Sequence, residues 1–207
     1  GYFGALLFAL SHFAMQISAG SINTDHNDAA FLFYVAASIW AWFEYENAAE
    51  NRKFLFALLV GILSGCAILV KWLPGLLVYT GWGIAILYRD QTRKNLKAYL
   101  HLICALCVTI AVFLPWQLYI FSEFPVVAKH EFSQASEHFF TSIEGHAEGI
   151  GYHFLVMQEI YGIGWHLVLA SLALFVATVK NSIYKVVLLV YLFVIYLFFS
   201  IAVTKMV

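Results

Sequence analysis

The chain has 207 residues, a formal net charge of -1, and a composition that is 63% hydrophobic but only 11% charged. Soluble globular domains carry about 25% charged residues, so this composition excludes a soluble domain and indicates an integral membrane protein. The sequence contains no basic patch of the kind that binds nucleic acid and no phosphate-binding glycine loop.

Apolar segments of near membrane-spanning length follow one another along the chain, separated by short polar breaks. They predict an all-α bundle of about seven transmembrane helices, forming a single transmembrane domain over residues 1–207. The predicted spans are Tyr2–Ala19, Ala29–Phe43, Phe54–Val70, Pro74–Leu87, Tyr99–Ile120, Tyr161–Val179 and Val186–Val203.

A single lysine interrupts the apolar stretch Gly61–Leu77. In one continuous membrane helix, Lys71 would lie near the bilayer centre at a cost of about 3 kcal/mol or more. Pro74 argues against such a helix, because it removes a hydrogen-bond donor and biases Leu73 away from helical angles. The sequence therefore predicts two helices, with residues 71–73 forming a turn at a membrane face.

Basic residues are distributed unequally between alternate breaks. The breaks of one set contain eight of the eleven, namely Arg52, Lys53, Arg89, Arg93, Lys94, Lys97, Lys180 and Lys185. The other set contains Lys71, Lys129 and Lys205 among many acidic residues. Because cytoplasmic loops are enriched in lysine and arginine, the first set is assigned to the cytoplasm and the second to the outer face.

Polar residues collect ahead of the second predicted span, where residues 21–28 include Asp25, His26 and Asp28. At a spacing of three, the two aspartates share one face of a helix. Capping of the helix N-terminus explains one acid well. A catalytic carboxylate, a metal ligand or an acceptor-binding group is the alternative for both, and the pattern leaves these alternatives open.

The long break over residues 121–160 predicts an outer-face loop with a helix at Phe132–Ile143 lying on the membrane surface. His130 in this loop is, with His26, a candidate for binding an acceptor or a divalent metal. The histidine spacings match no tight zinc signature, so solvated loop histidines are the alternative. No further cofactor is predicted.

The lysines on the predicted outer face have two interpretations. They are either anchors that extend to the membrane surface or a cationic site for the phosphate of a lipid head group. The tight turn at Lys71 and the Thr204 hydroxyl beside Lys205 favour the phosphate site.

Four motifs combine these features in one order: Asn23-Thr24-Asp25 before an apolar helix, GILSGCAILVKWLPG at residues 61–75, Leu114-Pro115-Trp116, and residues 198–205 ending in Thr204-Lys205. In this order they resemble the polytopic GT-C membrane glycosyltransferases that use polyprenyl-phosphate sugars. The bacterial members related to protein O-mannosyltransferases and aminoarabinose transferases are the most similar in pattern.

The resemblance implies an inverting transferase that moves a hexosyl or pentosyl group from a polyprenyl-phosphate carrier to a glycan, lipid or protein acceptor. It further implies a bacterial inner-membrane protein with its active site on the outer face. Asp25 corresponds to a catalytic acid of the family's second outer loop, and Lys71 and Lys205 correspond to donor-phosphate lysines. Asp28 lies off this pattern. The resemblance also implies a longer protein whose principal catalytic acid precedes Gly1.

Two other classes of protein remain as alternatives. A transporter or flippase for a lipid-linked or amphipathic anion would use the same lysines to bind its head group. Transporters usually contain internal repeats and broken helices at the midplane, and the sequence contains no such repeat. A non-catalytic membrane subunit is the third class, and the acids and lysines predicted for the outer face argue modestly against it.

Overall fold

The computed structural model describes residues 27–140, 149, 151–161 and 164–201. Over these ranges the chain forms α-helices and one short 3₁₀ helix without any strand, which confirms the predicted all-α class. The α-helices are α1 Asn27–Asn47, α2 Glu50–Lys71, α3 Leu77–Tyr88, α4 Asp90–Arg93, α5 Leu96–Glu123, α6 Pro125–Phe140, α7 Tyr152–Tyr161, α8 Gly164–Thr178 and α9 Ile183–Ile201, and the 3₁₀ helix is Leu73–Leu76.

Contacts along the chain divide it into two units, Gly1–Pro115 and Trp116–Val207. In the first unit, α1 and α2 form an antiparallel hairpin, because only the residues 48–49 separate them. The core of this unit contains fully buried large side chains from three helices, including Trp42 of α1, Val60 of α2 and Trp82 of α3. This hairpin therefore brings the start of α1 beside the end of α2.

The turn predicted around Lys71 is confirmed. Lys71 is the last residue of α2, Trp72 adopts a φ of 61°, and the 3₁₀ helix begins at Leu73 with Pro74 in its first turn. Proline is tolerated at this position because the first turn of a helix leaves its N–H groups unpaired in any case. The two helices predicted on either side of Lys71 are thus separate elements.

Two glycines on one face of α2 allow α5 to approach it closely. A Cβ atom at Gly61 would lie 2.6 Å from the Ala105 carbonyl oxygen, and one at Gly65 would lie 2.6 Å from the Val112 Cβ. Small residues four positions apart are the usual means by which membrane helices pack backbone to backbone. The Thr109 hydroxyl adds a hydrogen bond to the Gly61 carbonyl, 3.0 Å away.

Helix α5 contains Pro115 in its interior. The predicted span Tyr99–Ile120 runs past this proline, and α5 continues through Pro115 to Glu123. Proline removes one intrahelical hydrogen bond, and helices in membrane proteins tolerate this loss when local adjustments satisfy the freed carbonyl. The helix extends three residues beyond each end of the predicted span Tyr99–Ile120.

In the second unit, α7 packs against both α8 and α9. The buried Lys185 joins the turn between α8 and α9, because its Nζ donates to the carbonyls of Val176 and Val179 at 2.7 and 2.8 Å and to Asn181 Oδ1 at 3.1 Å. A cation at a helix C-terminus satisfies carbonyls that have no partner within the helix. Helix α6 covers residues 132–140 of the segment predicted as helical, Phe132–Ile143, and begins earlier, at Pro125.

Among the described residues, three helices are long and apolar enough to cross a membrane, namely α2, α5 and α9. The stretches Leu73–Tyr88 and Trp165–Thr178 are apolar but shorter. The helix that includes the predicted span Ala29–Phe43 is 21 residues long, and Tyr2–Ala19 lies outside the described residues. These helices are consistent with the predicted membrane bundle.

Substitution of Gly61 by alanine should destabilise the protein by about 1–3 kcal/mol, because the added methyl group would overpack the contact between α2 and α5. Gly83 in α3 is the matched control, since a Cβ there would meet no atom within 4 Å. Gly83→Ala should raise stability by about 0.5–1 kcal/mol through helix propensity. Thermal midpoints in detergent measure both effects, and equal midpoints for the two variants would contradict this packing.

Candidate functional site

The candidate site is built on the last residue of α2. Lys71 ends the helix at a point where the chain reverses through Trp72, whose backbone N–H still donates to the Ile68 carbonyl at 2.9 Å. A φ of 61° is rare for a bulky residue and costs about 1–3 kcal/mol, so surrounding contacts must hold it in place. Trp72 itself packs edge-to-face against Phe113 of α5, with ring centroids 6.2 Å apart.

The Lys71 ammonium forms an ion pair with the carboxylate of Asp28, in the first turn of α1. The pair depends on the register of the α1–α2 hairpin, because Asp28 precedes Ala49 by 21 residues and Lys71 follows it by 22. The two side chains remain 39% and 37% exposed. The arrangement is therefore an accessible pair of opposite charges at one end of the hairpin.

The opposite end of the same helices contains a second, more enclosed polar cluster. Arg89 donates to Glu46 at 2.5 Å, and the Glu46 side chain is only 9% exposed. The Tyr45 hydroxyl lies 3.1 Å from His101 Nδ1. These groups line a cavity of about 80 Å³ together with Glu50 and other residues. None of the residues predicted to bind donor or acceptor lies in this cluster.

The other predicted site residues lie either outside the described residues or in the second unit. Asp25, His26 and Lys205 lie outside the described residues. His130 is an exposed residue of α6, in the second unit, and its carbonyl accepts a hydrogen bond from Ser133 at 2.8 Å. The part of the chain that the structure describes brings no three histidine, cysteine, aspartate or glutamate side chains together as metal ligands.

Comparison with known protein families identifies the chain. The family model described as dolichyl-phosphate-mannose-protein mannosyltransferase matches residues 4–130, which is more than half of the 207 residues. The chain belongs to this family. No curated protein and no solved structure gives a significant match.

Membership of the mannosyltransferase family confirms the resemblance drawn from sequence motifs. Three of the four motifs lie inside the matched residues, whereas the one ending at Lys205 lies beyond them. The protein is therefore an integral membrane glycosyltransferase of the mannosyltransferase type. Lys71 and Asp28 fall within the match.

The pairing of Asp28 with Lys71 is not among the predictions made from the sequence. The available signal was the short break at residues 48–49, which predicts an antiparallel hairpin and places residues equally distant from it side by side.

The two ion pairs of the hairpin should differ in their contribution to stability. Asp28→Asn should change the free energy of unfolding by less than about 1 kcal/mol, because exposed ion pairs contribute little. Glu46→Gln should cost more, about 1–3 kcal/mol, because it weakens a charged hydrogen bond at an enclosed position. Thermal unfolding in detergent compares the two, and a larger loss for Asp28→Asn would mean that the Asp28–Lys71 pair is mainly structural.

Proposed function

We propose that this protein transfers a sugar, of the mannosyl type, from a polyprenyl-phosphate carrier to an acceptor hydroxyl at the outer face of the membrane. The observation that carries the proposal is the accessible Lys71 ammonium at the end of α2, within the residues that match the mannosyltransferase family. Lys71 would bind the donor phosphate, and Lys205 is the second lysine proposed to bind it.

The geometry of Lys71 supports a role in binding an anion. A lysine that only anchored a helix would extend freely to the membrane surface. Lys71 is instead held by the Asp28 carboxylate, and a backbone turn of unusual geometry follows it directly. A carboxylate and a phosphate monoanion or diester present the same kind of oxygen to an ammonium group. The donor phosphate can therefore take a position beside Lys71 that resembles the one occupied by Asp28.

The distribution of charge supports the outer face as the location. Basic residues cluster at the end of the first unit where α1 ends, α2 begins, α3 ends and α5 begins, namely Arg52, Lys53, Arg89, Arg93, Lys94 and Lys97. Lys71 lies at the other end of α2. Because basic residues favour the cytoplasmic side, the end with Lys71 is assigned to the outer side of a bacterial inner membrane.

The reaction needs one bond to form and one to break. The acceptor hydroxyl oxygen attacks C1 of the sugar, and the bond between C1 and the phosphate oxygen breaks, leaving its electron pair on the phosphate. A carboxylate accepts the hydroxyl proton, while Lys71 and Lys205 stabilise the phosphate as its charge increases. A single displacement of this kind inverts the configuration at C1. The carrier phosphate is the leaving group, so no nucleotide takes part.

Asp25 is the proposed carboxylate within this chain, and a further acid before Gly1 is proposed as the principal one. Asp28 is proposed to hold Lys71 in place before the donor binds. His26, Asp28 and His130 remain candidates for binding the acceptor, which is a glycan, a lipid or a protein, or for binding a divalent metal. The metal is tested by adding a chelator to the transfer assay below.

Lys71→Ala should lower the rate of transfer by about a hundredfold or more, because it removes a charge that stabilises the leaving phosphate. The assay follows radiolabelled sugar from polyprenyl-phosphate mannose into the non-lipid fraction of membranes that contain the full-length protein. Lys94→Ala, at an exposed position of the basic end of the first unit, is the matched control and should leave the rate unchanged. Equal losses of rate and folded yield in Lys71→Ala would make Lys71 a structural residue only.

Asp25→Asn should lower transfer by about a hundredfold or more while the protein remains extractable, since an amide cannot accept the proton of the acceptor hydroxyl. Binding of the donor should change much less, because the amide leaves the lysines intact. Normal transfer by this variant would remove Asp25 from the site. Movement of labelled lipid across the membrane without any transfer would favour the flippase alternative.

A further inference from the structure

A buried serine in the middle of α2 connects the helix to the turn that follows Lys71. Ser64 is fully buried, and its hydroxyl donates to the carbonyl of Gly75 at 2.5 Å. Ser64 lies two helical turns before Lys71, and Gly75 belongs to the 3₁₀ helix that follows it. The hydrogen bond therefore joins a residue before the turn to a residue after it, and it does not involve Lys71.

Hydroxyl groups from α3 and α5 form a second set of hydrogen bonds beside the same stretch of α2. Thr109 donates its only hydroxyl proton to the Gly61 carbonyl, so the Tyr79 hydroxyl, 2.6 Å from Thr109 Oγ1, is the donor in that contact. Thr109 thus satisfies a carbonyl of α2 itself, whereas Ser64 is the side chain that donates to the backbone of the turn.

The backbone of the turn packs directly on α2 at the same place. A Cβ at Gly75 would lie 2.7 Å from the Ile68 backbone nitrogen, so only glycine permits this approach. The Gly75 N–H donates to the Trp72 carbonyl at 3.0 Å, and the Trp72 N–H donates to the Ile68 carbonyl at 2.9 Å. The strained φ of Trp72 is consequently held between two hydrogen bonds and a close backbone contact.

We propose that Ser64 is a positioning residue that acts through Lys71: by holding Gly75 against α2, its hydroxyl fixes the strained turn at Trp72 and so directs the Lys71 ammonium toward the donor phosphate. This inference rests on the proposed function of Lys71. The benefit is preorganisation, because a charge that is already in place stabilises a developing charge without reorganisation during the reaction.

The test compares two buried serines in the full-length protein. Ser64→Ala should weaken binding of polyprenyl phosphate about fivefold to tenfold, the range expected for a charged contact that loses part of its alignment, and should lower the transfer rate at saturating donor. Ser38 is the matched control: it is equally buried, but its hydroxyl donates only to the Val35 carbonyl of its own helix at 2.8 Å. Ser38→Ala should leave binding and transfer unchanged.

A double variant separates positioning from general destabilisation. Lys71→Ala alone should weaken polyprenyl phosphate binding about tenfold to hundredfold. If Ser64 acts through Lys71, adding Ser64→Ala to Lys71→Ala should weaken binding no further. Multiplication of the two effects would overturn the proposal, as would an effect of Ser64→Ala no larger than that of Ser38→Ala.

The outcomes also distinguish this proposal from the proposed function. A Lys71→Ala variant that binds polyprenyl phosphate normally would refute the role of Lys71 itself, whatever Ser64 does. A normal Ser64→Ala variant beside a defective Lys71→Ala variant would refute only the positioning role. If Ser64→Ala yields no folded protein, Ser64→Cys replaces it, since a thiol has nearly the same size and is a much weaker donor. The Ser64→Cys variant should still bind polyprenyl phosphate more weakly than the native protein does. Binding as tight as that of the native protein would overturn the proposal.

Discussion

The structure of the first unit depends on one covalent constraint, the missing N–H of Pro74. A helix that continued from α2 would place Lys71 within an apolar element, where its charge would have no water and no partner. The proline ends that possibility, and the chain turns at Trp72 instead. Lys71 therefore becomes the last residue of a helix, with its ammonium free to meet Asp28 at the accessible end of the hairpin.

The turn is stable because glycine packing and hydroxyl groups together offset its strain. Gly61 and Gly65 bring α5 against α2, and this approach places the Thr109 hydroxyl beside the Gly61 carbonyl. The Tyr79 hydroxyl bonds Thr109 in turn, and Ser64 donates separately to the Gly75 carbonyl. Each of these hydroxyl groups has a partner, as is usual for buried polar groups. The hydrogen bond at the turn and the contact between α2 and α5 thus involve the same stretch of α2, residues 61–65.

Those parts of the fold that depend on local chemistry could be predicted from the sequence. The turn at Lys71 follows from Pro74, and the clustering of basic residues at one end of the first unit follows from the positive-inside pattern. The pairing of Asp28 with Lys71 depends on hairpin register, and the role of Ser64 depends on the approach of the 3₁₀ helix, so both require tertiary structure. Proline alone does not decide where a helix ends, because Pro115 lies inside α5 whereas Pro74 follows the end of α2.

The two ends of the hairpin show how one kind of interaction serves two purposes. At the enclosed end, Glu46 contacts Arg89 in place of water, and breaking this ion pair would leave the Glu46 carboxylate poorly hydrated. At the accessible end, Asp28 and Lys71 keep contact with solvent, so separation costs little. In the proposed function, a donor phosphate takes the place of the Asp28 carboxylate beside Lys71, and this exchange breaks only an ion pair of low cost. An exposed ion pair suits that proposed role, because an anionic carrier has to bind and leave in every cycle.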